Sequence, residues 1–442
     1  MGPASYKIER SPQKDFEVSH WFDGFGETHR FQIIVNNGGK PKVIYTSRHQ
    51  DDELTNTIRQ SGTYSFITFA QKRDPCIGIF GKVMSFFERI LTKPFANNVN
   101  VAIYPNMRIK SNQRGVLRGT PKHSSGVDSL WLTTDCSILK ELDPLTLEPI
   151  GVEYQTALHP LLSGPLSCAH AMSDPITGDV YNYNLNFGRF ATYRVFRVSA
   201  SSGETESLAA IAGAGVEPAY LHSFFITADF VILCVWGARL DHCGFNIFLG
   251  WNVLDAINPF DPSKPVRWFV IDRKAGRGVV AEFQSPAAFC FHTVNAWQTV
   301  NAEGQIDIVC EYLEYQNLDI LYEFYYYEIV STSKQAVSRK GIDSHAALTK
   351  YCLSNIRGKI LDRKVGDEIP HAKLVLQIPR AGELPTINPN FSMRESKFLY
   401  TVVNRGYSTF MDGILKVDTM NSTTIILGES GWSYSWGGNL HP

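Results

Sequence analysis

The residues that most invite chemistry in this chain are its histidines. There are twelve in 442 residues, and none falls in an H-E-x-x-H, an H-x-H or a Cys/His cluster. Local spacing therefore nominates no metal site. Nor does a nucleophile triad or a carboxylate-pair motif stand out. Three histidines differ from the rest in their setting. His170 precedes DPITGDVYNYNL, His222 opens HSFFITADFVILCVW, and His292 lies in AFCFHTVNAW. Each is an isolated imidazole at the edge of an apolar strand-like run. The ordinary reading of such a residue is a surface or satisfied core histidine. The separations, 52 and 70 residues, also correspond to one or two propeller blades of about 40–50 residues. Inner strands of different blades line one channel, so these three rings could meet on its axis. Neutral imidazole suits Fe(II) among other divalent ions, and an all-histidine set leaves the ion its full charge and open positions for O₂.

The elements that would have to position them are strands. HRFQIIVNN, NVNVAIYP, DVYNYNLNF, ATYRVFRVS, DFVILCVW, VRWFVID, QIDIVCEYLEY and FLYTVV are all β-rich, and DPLTLE, DPITGD, SSGE, NPFDPSKP and NRGY punctuate them. The pattern predicts an all-β sandwich, barrel or propeller. No stringent blade motif repeats. Residues 76–95, CIGIFGKVMSFFERILTKPF, place Ile79, Phe80, Val83, Phe87, Ile90 and Leu91 at helical spacing. This segment reads as a helix packed on the core or as an interfacial helix dipping its aromatic face into a membrane. The polar stretch 332–350 reads as a surface excursion between strands.

Composition narrows the partners. Lysine and arginine number 42 against 43 acidic residues, a net charge of -1, so no basic field exists to hold nucleic acid. The eight cysteines form no C-x-x-C pair. Cys234 and Cys310, inside apolar runs, read as buried thiols in a reducing, cytoplasmic setting. The sequons at Asn390 and Asn421 read as chance matches. FFITADFVILCVW is the most apolar run, but Asp229 interrupts it and its β-branched content predicts a buried strand. The reading is a soluble or peripherally membrane-associated protein.

At the histidine segments the sequence resembles the carotenoid cleavage oxygenases, closest to the fungal branch that cleaves torulene or related carotenoids. FEVSHWFDGFGETHRFQI (16–33) is similar to that family's N-terminal signature. DPCIGIFGKVMSFF (74–87) and NNVNVAIYP (97–105) are similar to the stretch carrying its membrane-facing helix. LTTDCSILKELDPLTLEPIG resembles the segment before the first ligand; SCAHAMSDPITGDVYNYN, YLHSFFITADFVIL and FCFHTVNAW resemble three ligand motifs in order. The likeness runs from about residue 16 to 425. It implies a seven-bladed β-propeller with a helical or loop cap over the site, formed as one domain over 1–442. It further implies Fe(2+) on His170, His222 and His292. Asp135 and Glu383 would hydrogen-bond to His222 and His292 respectively. Aspartate is one methylene shorter than the family's glutamate, so its contact is expected to be longer or water-mediated. Gln298 stands where an acidic residue often follows the third ligand. The implied reaction is O₂-dependent scission of a conjugated C=C bond of an apolar polyene. Alternatives on the same fold are a stilbene-cleaving oxygenase and an inactive apolar-ligand-binding propeller.

Both ends depart from the family pattern. MGPASYKIE resembles the middle of an early strand, and ILKVDTMNSTTIILGES runs into a tail, 428–442, without the family's closing motifs. The expectation is a chain truncated at both ends, with an incomplete closing blade and no fourth histidine motif. His441 in NLHP does not match that motif. It reads as an exposed tail residue, with replacement ligand as the alternative.

Overall fold

All eight β-rich runs form strands in a computed structural model, which describes residues 2–35, 39–64, 66–72, 98–109, 125–213, 215–250, 252–331, 345–356 and 368–427. The helix expected at 76–95, the tail 428–442 and His441 lie outside the described residues.

Apart from a two-stranded pair, Lys7–Ile8 with Phe16–Glu17, the strands join into antiparallel sheets of three to five strands, each a propeller blade. Six such blades are present among the described residues. The first combines Gly2–Ser5, Phe25–Ile34 and Lys42–His49. The second runs from Ala102–Pro105 to Pro149–Tyr154, and the third from Leu166–Ser167 to Thr205–Ile211. The fourth spans Phe225–Ile226 to Val279–Ser285, the fifth Thr293–Val300 to Lys373–Ile378, and the sixth Glu383–Thr386 to Thr423–Leu427.

A shared turn chemistry appears in four hairpins. Asp143 Oδ1 accepts from the N–H groups of Leu145 and Thr146, and Asp174 Oδ1 from those of Ile176 and Thr177. Asp272 and Asp418 do the same two and three residues ahead. An aspartate at the turn's first position satisfies two backbone donors at once, which is why it closes hairpins in the second, third, fourth and sixth blades.

Burial follows from blades stacking face to face. Every residue of Phe230–Val235 is buried, so this strand is apolar on both faces rather than alternating. Cys234 and Cys310 are fully buried, as their apolar runs predict. Between the fourth and fifth blades Tyr312 packs on Trp236 and Trp268, with ring centroids at 4.9 and 5.9 Å. The excursion expected at 332–350 is corrected in its second part: Ala347–Leu353 is a strand of the fifth blade. Lys350, which made that stretch look exposed, is buried against Glu311 at 2.9 Å. Gln298 pairs with Asp229, its amide donating to the carboxylate at 2.9 Å, and so ties the fifth blade to the fourth. Among the described residues no helix is long and apolar enough to cross a membrane.

One buried ion pair locks the helix Asp52–Ser61 and the first blade onto the second. Lys140 Nζ lies 3.0 Å from Asp51 Oδ1, with side chains 3 and 1% exposed. Lys140 also donates to the Gln50 carbonyl, while the Gly26 N–H donates to Asp51 Oδ2. Lys140→Ala leaves Asp51 charged and unpaired in the interior, and the expected loss is about 3–5 kcal/mol in urea unfolding. The double variant Lys140→Met with Asp51→Asn should recover most of it; equal stability of wild type and Lys140→Ala would show that the pair contributes nothing.

Candidate metal centre

The three singled-out histidines arrive from three consecutive blades, each beside the short strands that open its blade. His222 lies just ahead of Phe225–Ile226 and His292 immediately before Thr293–Val300, whereas His170 follows its blade's first strand, in the break between Leu166–Ser167 and Met172–Ser173. Their ligand nitrogens all lie within 4.8 Å of one another. Ring centroids are 4.7 Å apart for His170 and His222, 4.8 Å for His170 and His292, and 5.0 Å for His222 and His292. The rings meet edge to face, so their nitrogens converge instead of stacking.

Two carboxylates fix two of the rings. Glu383 Oε2 accepts from His292 Nδ1 at 2.6 Å and from the Leu384 N–H at 2.9 Å. The backbone aims this side chain: Gly382 and Leu384 take φ of 78° and 51° around a β-bulge. A Cβ on Gly382 would meet the Val402 carbonyl oxygen at 2.4 Å, so only glycine fits there. Asp135 accepts from His222 Nδ1 through both oxygens at 2.9 Å. The contact is direct and longer than the glutamate's, the first of the two outcomes expected for the shorter side chain. Direct reach is possible because the Ala169 N–H and the Tyr220 hydroxyl also hold the Asp135 carboxylate. A proton held on Nδ1 leaves each Nε2 lone pair free. His170 makes no ring hydrogen bond among the described residues and lines the cavity. Burial, then the nearness of His222 and His292, holds its pKa well below the usual histidine range, so it too offers a lone pair.

The cavity around these nitrogens is about 320 Å³. Phe22, Phe69, Phe291 and Phe324 form much of its wall, and Phe22 faces His222 with near-parallel rings 6.2 Å apart. The segment WFDGF positions that wall. His20 is wholly buried; its Nε2–H donates to the Leu321 carbonyl at 2.9 Å, and its Nδ1 accepts from the Phe22 N–H. Asp23 accepts from the N–H groups of Phe69 and Ala70 at 2.6 and 2.7 Å, bringing Phe69 beside Phe22. Gly24 has no room for a side chain, since a Cβ would lie 2.6 Å from the Tyr326 hydroxyl. Sequence reasoning singled out none of these aromatic residues as site-forming. Phe291 and Tyr220 could have been found by adjacency to His292 and His222; Phe69 and Phe324 reach the cavity from distant loops and carry no local signal.

The donor set fits one small divalent cation: three neutral imidazole nitrogens, no anionic ligand among them, and an apolar surround. The cavity carboxylates Asp23, Asp135 and Glu383 are each engaged in holding other groups.

A family model described as retinal pigment epithelial membrane protein matches residues 1–437. A carotenoid dioxygenase of Neurospora crassa is 39% identical over 95% of this chain and 73% of its own length. The chain belongs to the carotenoid cleavage oxygenase family. A torulene dioxygenase of Fusarium fujikuroi is 38% identical, over 96% of this chain and 75% of its own. Among solved structures, a Synechocystis apocarotenoid oxygenase mutant superposes with a TM-score of 0.67 at 16% identity, over 98% of this chain and 76% of that one. A lignostilbene dioxygenase of Pseudomonas brassicacearum gives 0.59 at 15% identity, over 95% and 76%. These structures show that the carotenoid cleavage oxygenase chain has the same all-β propeller fold.

Burial pushes the His20 pKa down to about 4, against the pull of the Leu321 carbonyl. The unfolded chain takes up this proton near pH 6.5, so the stabilisation is complete above that pH and is lost as pH falls towards about 4. His20→Asn keeps a donor and an acceptor without titrating. Its unfolding free energy should fall less steeply between those limits, by up to about 1.4 kcal/mol per pH unit. Parallel slopes for the two proteins would show that His20 does not titrate on unfolding. Asp23, whose pKa burial raises to about 6, contributes in the opposite sense but is common to both proteins.

Proposed function

We propose that this chain is a non-haem Fe(II) dioxygenase that cleaves a conjugated C=C bond of a carotenoid or apocarotenoid into two carbonyl fragments. The observation that carries the reading is the convergence of His170, His222 and His292 on one aromatic-walled cavity. In the reaction both oxygen atoms of O₂ are consumed, one in each new carbonyl, and no proton need be gained or lost. Bound at these rings, Fe(II) would supply the O₂-binding and activating centre. The chain's own residues do the rest. Asp135 and Glu383 hold the Nδ1 protons of His222 and His292, so that the remaining ring nitrogens face the cavity. Phe22, Phe69, Phe291 and Phe324 exclude water and offer flat apolar surfaces to a polyene. The names of the Neurospora and Fusarium relatives support a carotenoid substrate, with torulene the first to test.

Three finer features belong to this reading. The chain is treated as one propeller domain, supported by a family match that spans 1–437. A seven-bladed ring is supported by the sequence resemblance, six blades being described. A cytoplasmic enzyme touching membrane through residues 76–95 is supported by the apolar, aromatic composition of that segment and by a substrate that dissolves in lipid.

Purified protein should bind one Fe(II) anaerobically and release aldehydes from torulene or β-carotene under O₂, seen by chromatography. Single alanine substitutions of His170, His222 or His292 should abolish stoichiometric iron and lower aldehyde to background. Glu383→Gln should weaken iron about 10–100-fold. Iron binding without aldehyde from any conjugated substrate would leave an apolar-ligand carrier; aldehyde formation by the alanine variants would remove these histidines from the reaction.

A further inference from the structure

The two carboxylates that hold the imidazoles do so differently. Glu383 meets His292 through one oxygen at 2.6 Å. Asp135, shorter by a methylene, straddles His222 Nδ1 with both oxygens at 2.9 Å. A straddling carboxylate lacks a single short bond to set its rotation, and the terminal torsion of an aspartate is intrinsically broad. Two donors from outside the pair remove that freedom. The Ala169 N–H reaches Oδ1 at 3.2 Å, and the Tyr220 hydroxyl reaches Oδ2 at 2.8 Å.

Tyr220 is built for this contact. It lies two residues before His222 in extended chain, which puts both side chains on one face. Its N–H donates to the Ala238 carbonyl at 2.8 Å, its side chain is buried, and its ring packs against Phe69 at 5.2 Å. The hydroxyl also lies 3.1 Å from His222 Nδ1. Because that nitrogen gives its proton to Asp135, the phenol's proton is directed to Oδ2 and not to the ring. The result is a closed triangle of Tyr220, Asp135 and His222.

We propose that Tyr220 is a positioning residue for His222, whose hydroxyl makes up for the methylene Asp135 lacks by holding the short carboxylate square to the ring. This rests on the reading that the three imidazoles hold a divalent ion. At the other pair Glu383 Oε2 accepts from its neighbour's backbone N–H, and the Tyr315 hydroxyl also hydrogen-bonds to Glu383.

A double-mutant cycle tests it. Wild type, Tyr220→Phe, Asp135→Glu and the double variant are titrated anaerobically with Co(II) and Fe(II) against a competing chelator. The visible band of the Co(II) form reports ligand geometry, and thermal unfolding of the metal-free proteins checks the fold. Tyr220→Phe should weaken binding about 10-fold in the native Asp135 background and shift the Co(II) band. With Asp135→Glu the same change should cost less than about 3-fold and leave the band in place. Equal losses in both backgrounds, or no loss with Tyr220→Phe alone, would overturn the assignment. If Tyr220→Phe does not fold, the double variant decides: wild-type-like affinity supports the compensation, and loss of binding refutes it. Failure of the wild type to bind either ion overturns the metal reading itself, and this assignment with it.

Discussion

Three uncharged imidazole nitrogens must face one apolar cavity at once, and the rest of the structure serves that constraint. An imidazole is free to rotate and to exchange tautomers, and in a desolvated site either change costs a ligand. The chain removes both freedoms for His222 and His292 by giving each Nδ1 a carboxylate partner. His170 is governed by burial and by its two neighbours, which keep it neutral. A propeller suits this demand because consecutive blades can each bring the start of one strand to a common axis. The histidines are far apart in sequence and come together only because the third, fourth and fifth blades stack side by side.

Carboxylates beside an apolar cavity are costly unless they are hydrogen-bonded. Each of the three here recruits backbone N–H groups: Asp23 from Phe69 and Ala70, Asp135 from Ala169, Glu383 from Leu384. The same bonds shape the cavity. By drawing Phe69 beside Phe22, Asp23 converts a polar obligation into part of an aromatic wall. Positioning and stability are thus carried by the same contacts.

The strands were legible because apolar runs such as VILCVW and VRWFVID have too few polar residues to lie anywhere but between packed sheets. The three histidines were legible by their setting, and Asp135 and Glu383 only through the family resemblance, since nothing local marks a carboxylate as a histidine's partner across about 90 residues of chain. Lys350 misled because a lysine in a polar stretch reads as exposed until its partner Glu311, on the neighbouring strand, is known. Two of the hairpin aspartates, in DPLT and DPIT, were legible as turn signals; Asp272 and Asp418 were not, because the geometry of the turn repeats while the residues that follow them, RKA and TMN, do not. Phe69 and Phe324 were illegible for a deeper reason. Their role depends on long-range docking through Asp23 and His20, and neither loop has a pattern of its own.

The central claim is that His170, His222 and His292 share one iron. Anomalous diffraction at the iron edge, from crystals grown anaerobically with Fe(II), tests it without reference to turnover. The account predicts a single strong peak bounded by the three imidazoles, within ligand distance of a ring nitrogen on each. No peak there, or iron bound elsewhere while these rings keep only their carboxylate partners, would contradict it.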